Sequence, residues 1–374
     1  MSCIIYFDES GHTGYSYLDA QQTIVAYGGL RTTEEEAAEI RGRRFAQVGG
    51  AELKHSRLSG TAVGQRAILG LLREETEWIG TNFRWFLIDK PYALLSKYVD
   101  LFVEEAAFRT GDNLYSSGIN AQLVAMLWMV ARANGKTEGL NRFLSAFSEF
   151  ARQPDLDRLA DLETEAHRLD LGNEALEATV TNPLRRLGGA FVDIVVREQL
   201  DLSMAGPWSL LGVWYKEVRE PFWMVHDAGA ALRRQEEQWL AITSLENGYT
   251  VEHLGAFEMP TNIPLLGTEF RDSAGLVPLQ LVDIILGANR RLAEWLKADR
   301  PEDPYAAALF EILGEPQPDW SIPPPIGSLL ALGEDDQTAD EAGEIMSAFG
   351  HRLPPRRRSG APPGRWSERN VDAE

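Results

Sequence analysis

Three aspartates sit where the surrounding sequence leaves an ionised carboxylate little water. Ile4, Ile5, Tyr6 and Phe7 run into Asp8-Glu9-Ser10-Gly11, and Phe222 to His226 run into Asp227-Ala228-Gly229. Asp283 interrupts Leu279-Gln280-Leu281-Val282 and Ile284-Ile285-Leu286-Gly287. A buried carboxylate without partners costs roughly several kcal/mol, so each acid needs a cation or hydrogen-bond donors. Hard divalent ions take carboxylate, water and phosphate oxygens, and a pair of them can generate a hydroxide and steady a leaving oxygen. Acids from two strands and a late helix therefore point to magnesium or manganese and to hydrolysis of a phosphate ester.

Each of these residues has a plainer alternative. Asp8 and Asp227 could be helix N-caps or turn residues, and Asp283 could be a structural acid bonded to a backbone amide. Helical spacing puts Gln280, Asp283 and Gly287 on one side, where the glycine admits another backbone or a ligand. Glu52-Leu53-Lys54 places an acid and one of only six lysines on the same side of extended backbone. A metal ligand beside a phosphate contact would use that pair, and so would a surface salt bridge. Asp272-Ser273 precedes the late helix and reads most simply as its N-cap.

The elements that must position these residues follow from periodicity. Strands are predicted over 3–8, 23–30, 83–89 and 222–226, with a further one over 249–258. Thr33-Glu34-Glu35-Glu36 predicts a capped helix reaching about Val48. Helices are also predicted over 61–78 and 276–296, and the pattern from Tyr92 to Gln199 is helical throughout. Frequent proline and the Glu334-Asp335-Asp336 run after Glu315 predict a largely disordered Pro/Arg tail over 315–374.

Composition narrows the chemistry. Of 374 residues 44% are apolar, enough for a sizeable core, and Cys3 is the single cysteine, which suits a reducing cytosol. The apolar start is too short for a signal peptide, and no apolar run approaches the roughly 18 residues that span a bilayer. A net charge of −20 argues against a general nucleic-acid coat but leaves room for a local arginine-lined cleft with bound cations. His12, His55, His167, His226, His253 and His351 lack zinc-ligand spacing. There is no phosphate-binding GxxxxGK[ST] loop, no GxGxxG, and Ser10 lies outside any GxSxG elbow.

Tyr6-Phe7-Asp8-Glu9-Ser10-Gly11, Glu52-Leu53-Lys54, Val225-His226-Asp227, and Asp272-Ser273 with Gln280-Leu281-Val282-Asp283 resemble the successive motifs of domain-of-unknown-function family 3800. This bacterial group is regarded as having a ribonuclease H-like fold, and some members lie beside mobile-element or phage-defence genes. The resemblance implies an α/β fold: a ribonuclease H-like mixed sheet flanked by helices, with a large α-helical insertion. On that reading 1–91 and 208–300 form the core and 92–207 the insertion. It also implies that Asp8, Asp227 and Asp283 bind magnesium or manganese, with Glu52 a fourth candidate. Lys54 and Gln280 would contact phosphate or order a ligand, and Glu9, Ser10, Asp272 and Ser273 would support them. Ala228 stands where the third motif often has a second acid, so Asp89, closing the Phe83 strand, is an alternative central ligand.

The expected activity is that of a cytoplasmic metal-dependent nuclease or phosphodiesterase. Two other readings stay open. Haloacid-dehalogenase-like phosphatases also open on a strand ending in a nucleophilic aspartate, although Ser10 occupies the place of their second acid. A non-catalytic scaffold bound to a protein partner would equally use the acidic surface and the helical insertion.

Overall fold

The computed structural model describes residues 3–11, 14–50, 52–114, 119–195, 197–228, 230–254 and 257–322. The architecture is α/β. The strands among the described residues are β1 (Ile4–Ser10), β2 (Ile24–Arg31), β3 (Phe83–Asp89), β4 (Trp223–Asp227), β5 (Thr250–Leu254), β6 (Phe257–Asn262), β7 (Gly267–Arg271) and β8 (Trp320–Ile322). Six form one mixed sheet in the order β7-β4-β1-β2-β3-β8. β1, β2 and β3 form an antiparallel meander, whereas β4 lies parallel to β1, β7 parallel to β4 and β8 parallel to β3.

The central strands are apolar on both faces because both faces are covered. Ile5, Phe7, Val25 and Tyr27 face one core, and Tyr6, Ala26 and Leu30 face the other. The chain between β3 and β4 is helical, from Lys90–Tyr98 to Ala205–Val218, and packs on the Ile5/Phe7 face. Its interior is aromatic: Tyr98, Phe102, Phe143, Phe147, Phe150 and Phe191 are fully buried. The opposite face carries the helix Val277–Lys297, whose apolar residues join Tyr6, Ala26 and Leu30 in one core. Gly28 lets this helix close on the sheet, since a Cβ there would lie 3.3 Å from Leu286 Cδ1.

Several predicted bounds shift. Thr33 caps its helix by accepting the Glu36 amide, but the helix ends at Arg44. The 249–258 strand is the first part of a hairpin, β5–β6. The polar edge strand β7 went unpredicted, as did the helix Pro304–Leu313, which Asp303 caps and which buries Tyr305, Ala306 and Leu309. The segment predicted as tail from 315 is in part structured: Trp320–Ile322 pairs with β3, and Asp319 Oδ2 accepts the Trp85 amide at 2.8 Å. Residues 323–374, with the acidic run and the Pro/Arg stretch, lie outside the described residues. Among the described residues no helix is long and apolar enough to cross a membrane.

Candidate active site

Strand alternation decides which acids meet. Asp8 shares a face of β1 with Tyr6, and Asp227 shares a face of β4 with Val225; both faces lie under the Val277–Lys297 helix. The parallel register pairs Phe7 with His226 and so sets Asp8 beside Asp227. Asp283 approaches the same place from the helix.

The Glu52–His55 segment is held along that helix by the predicted stripe. Gln280 Oε1 accepts the Leu53 amide at 3.1 Å, and Asp283 Oδ2 accepts the His55 amide at 2.5 Å. Gly287 provides room for the imidazole: a Cβ there would lie 2.4 Å from His55 Cγ. Gln280 Nε2 donates to the carbonyls of Ser273 and Ala274 at 2.7 and 3.2 Å, which fixes the turn ahead of the helix.

Lys54 projects from this segment into the acids. Its Nζ lies 3.4 Å from Glu52 Oε1 and 3.8 Å from Asp227 Oδ2, and it donates to Ser273 Oγ at 2.9 Å. Ser273 Oγ donates in turn to Glu52 Oε1 at 2.9 Å, and its amide reaches Asp227 Oδ1 at 3.2 Å. Asp227 Oδ1 also accepts the Ala228 amide at 3.0 Å.

Burial pushes the Asp8 carboxyl well above the usual range, with the charges of Asp283, Glu9 and Asp227 adding to the rise and Lys54 opposing it. Burial also raises Asp283; the His55 amide and Lys54 pull it down, while Asp227 and Glu52 push it up. For Lys54, desolvation disfavours the ammonium, but Asp283, Asp8, Asp227 and Glu52 outweigh it and hold its pKa above the usual value. Desolvation, with Arg290 and Arg291, lowers buried His55 to about 4, so it is neutral at pH 7, with Nε2 3.3 Å from the Tyr305 hydroxyl.

Asp8, Asp227, Asp283, Glu52, Lys54, Ser273 and Gln280 are thus brought together. The side chains of four other expected residues, Glu9, Asp272, Asp89 and Ser10, make their contacts outside the cluster. Glu9 points to the opposite face of the sheet, where its Oε2 lies 3.5 Å from His226 Nε2, while His226 Nδ1 donates to the Asp227 carbonyl at 2.8 Å. Asp272 accepts the Ala274 amide at 2.9 Å and caps the short 3-10 turn Ser273–Gly275, not the late helix, whose N-cap position is Leu276. Asp89 caps the helix Lys90–Tyr98 through the Tyr92 amide and pairs with Lys297 at 2.6 Å, two strands away from β1, so its contacts lie apart from those of Asp8 and Asp227. Ser10 accepts Arg290 Nε at 2.9 Å, and Arg290 pairs with Glu294 at 2.6 Å. Arg290 was missed in the sequence, although it lies one heptad beyond Asp283 on the same side of the helix.

The hard oxygen donors of Asp8, Asp227, Asp283 and Glu52 suit magnesium or manganese by type. Among the described residues no three acid, histidine or cysteine side chains are arranged to hold an ion as they stand, and the Lys54 ammonium lies among the carboxylates. Compared with known proteins, the chain matches no family model, no curated protein and no solved structure.

Proposed function

We propose that the chain is a metal-dependent nuclease or phosphodiesterase built on a ribonuclease H-like core. The observation that carries this reading is the convergence of acids from the first strand, a central strand and a late helix on one face of a mixed sheet: Asp8, Asp227 and Asp283. The motif resemblance supports it independently of the geometry. A bound magnesium or manganese would supply charge for the phosphoryl oxygens and a water activated near neutral pH.

The chain's own residues have distinct parts in this proposal. Asp8 offers a buried carboxylate and Asp283 a half-buried one, and these two gain most from a cation. Asp227 is oriented by the Ser273 and Ala228 amides. Lys54 directs positive charge to the place where a phosphate would sit, and Gln280 fixes the segment that bears it. The phosphatase reading gains nothing from the geometry, since Ser10, in the place of the second acid, is engaged by Arg290.

A labelled-oligonucleotide cleavage assay with manganese tests the proposal. Asp8→Asn and Asp283→Asn should each abolish cleavage, and Glu9→Gln, on the far face, should retain it. Full activity in either aspartate variant, or undiminished wild-type cleavage in chelator, would sink the proposal.

A further inference from the structure

The side chain of Arg290 is fixed from several sides. Its Nε donates to Ser10 Oγ at 2.9 Å and its Nη1 to Glu294 Oε1 at 2.6 Å. Gly11 has a positive φ of 83°, and a Cβ there would lie 2.9 Å from Arg290 Cδ, so the glycine leaves room for the arginine's stem. Among the described residues Nη2 has no partner, and 18% of the side chain remains exposed. A guanidinium is planar, so the bonds that hold Nε and Nη1 also set where Nη2 points.

Backbone periods place this group relative to the acids. Ser10 follows Asp8 by two residues on β1 and faces the same helix, about 7 Å further along the strand. On the helix Arg290 comes two turns after Asp283, about 10 Å along the axis and on the same side. Lys54 is held at Ser273, ahead of the helix, so Asp283 lies between the lysine and the arginine. Glu294, which grips Arg290, also lines a cavity of about 560 Å³ together with Thr23, Arg291, Trp295 and Lys297. That is the size of a small-ligand site, roughly 300–1,000 Å³.

We propose that Arg290 binds the phosphate next to the one that is cleaved, and that the adjoining cavity takes the nucleotide attached to it. The substrate is then a polynucleotide strand with consecutive phosphates, and not an isolated phosphate ester. The proposal rests on the reading of Asp8, Asp227 and Asp283 as a hydrolytic site and names its substrate class. A chain of net charge −20 cannot hold a strand by overall attraction, so a fixed guanidinium is the means by which a second phosphate is met. Ser10 and Glu294 are positioning residues for it.

The test is manganese-dependent cleavage of a labelled oligonucleotide whose phosphates are replaced one at a time by uncharged methylphosphonate, with kcat and KM measured separately. On wild type one replacement beside the cleaved bond should raise KM roughly tenfold or more, the worth of one charge-assisted hydrogen bond. Arg290→Met should raise KM for the unmodified strand by a similar factor and lower the slope of log KM against log salt by about one. In that variant the same replacement should cost nothing further, a non-additivity that a purely structural clamp would not produce. If wild type is indifferent to every replacement beside the cleaved bond, or if the replacement costs as much in Arg290→Met, the inference falls and the metal-dependent reading stands. No manganese-dependent cleavage by wild type would overturn both. Should Arg290→Met not fold, Arg290→Lys keeps the stem and charge but not the fork; it should raise KM and shrink the penalty of the replacement, and no change in either would overturn the inference.

Discussion

Gln280 accepts the backbone amide of Leu53 at 3.1 Å, and this one bond joins the segment carrying Glu52 and Lys54 to the helix carrying Asp283. The two residues are 227 positions apart in the chain. The other end of the same carboxamide donates to Ser273 and Ala274, so one fully buried side chain sets the spacing of three parts of the site.

Gln280→Glu should be strongly destabilising for that reason. The glutamate keeps an acceptor for Leu53 but presents a second acceptor, charged and buried, to the carbonyls of Ser273 and Ala274. Leaving buried groups unpaired costs about 1–3 kcal/mol each, so the loss should be about 3 kcal/mol or more. Urea unfolding measures it, and a change below about 0.5 kcal/mol would contradict this account of the residue.

Gly287→Ala should weaken the site without touching an acid. The added methyl would lie 2.4 Å from His55 Cγ, so either the imidazole or the helix must move. Overpacking of this kind costs about 1–3 kcal/mol. Because the His55 amide is bonded to Asp283, the displacement should also reduce manganese affinity. Normal affinity together with wild-type melting would show that the ring has room to rotate away.

Stability should depend on pH through two groups of opposite sign. His55 titrates at about 4 in the folded chain against an ordinary 6.5, so the unfolded chain binds the extra proton first and stability is lost as pH falls from 6.5 to 4. The shift corresponds to about 3 kcal/mol in full, and His55→Gln should flatten the slope in that window. Asp8 behaves conversely: its folded pKa is raised, so its contribution is present in acid and lost as pH rises through that value. Asp8→Asn should therefore make the metal-free protein more stable than wild type near neutrality. Melting curves in chelator across this pH range check both variants.

Much of the frame is written locally. β1, β2, β3 and β4 are short apolar runs closed by turns or acids, and they form close to where those runs predict. The stripe of Gln280, Asp283 and Gly287 follows from the helical repeat, and all three residues meet the 53–55 segment. β7 and β8 carried too little local signal, being short and partly polar; they form because β4 and β3 offer them unpaired edges.

The partnerships within the site were decided only by the tertiary structure. Asp89 follows an apolar run in sequence just as Asp8 does, yet it lies two strands away and serves as a cap. Glu9 adjoins Asp8 in sequence but faces the other core, and alternation could not reveal this because Tyr6 and Phe7 are both buried. Lys54 was a scarce cation of open role until folding set it among four acids. Residue types and local periods determine which groups can be buried and where elements form. Sheet order, register and the packing of one distant segment against a helix determine which buried charges must answer one another, and those are properties of contacts far apart in the chain.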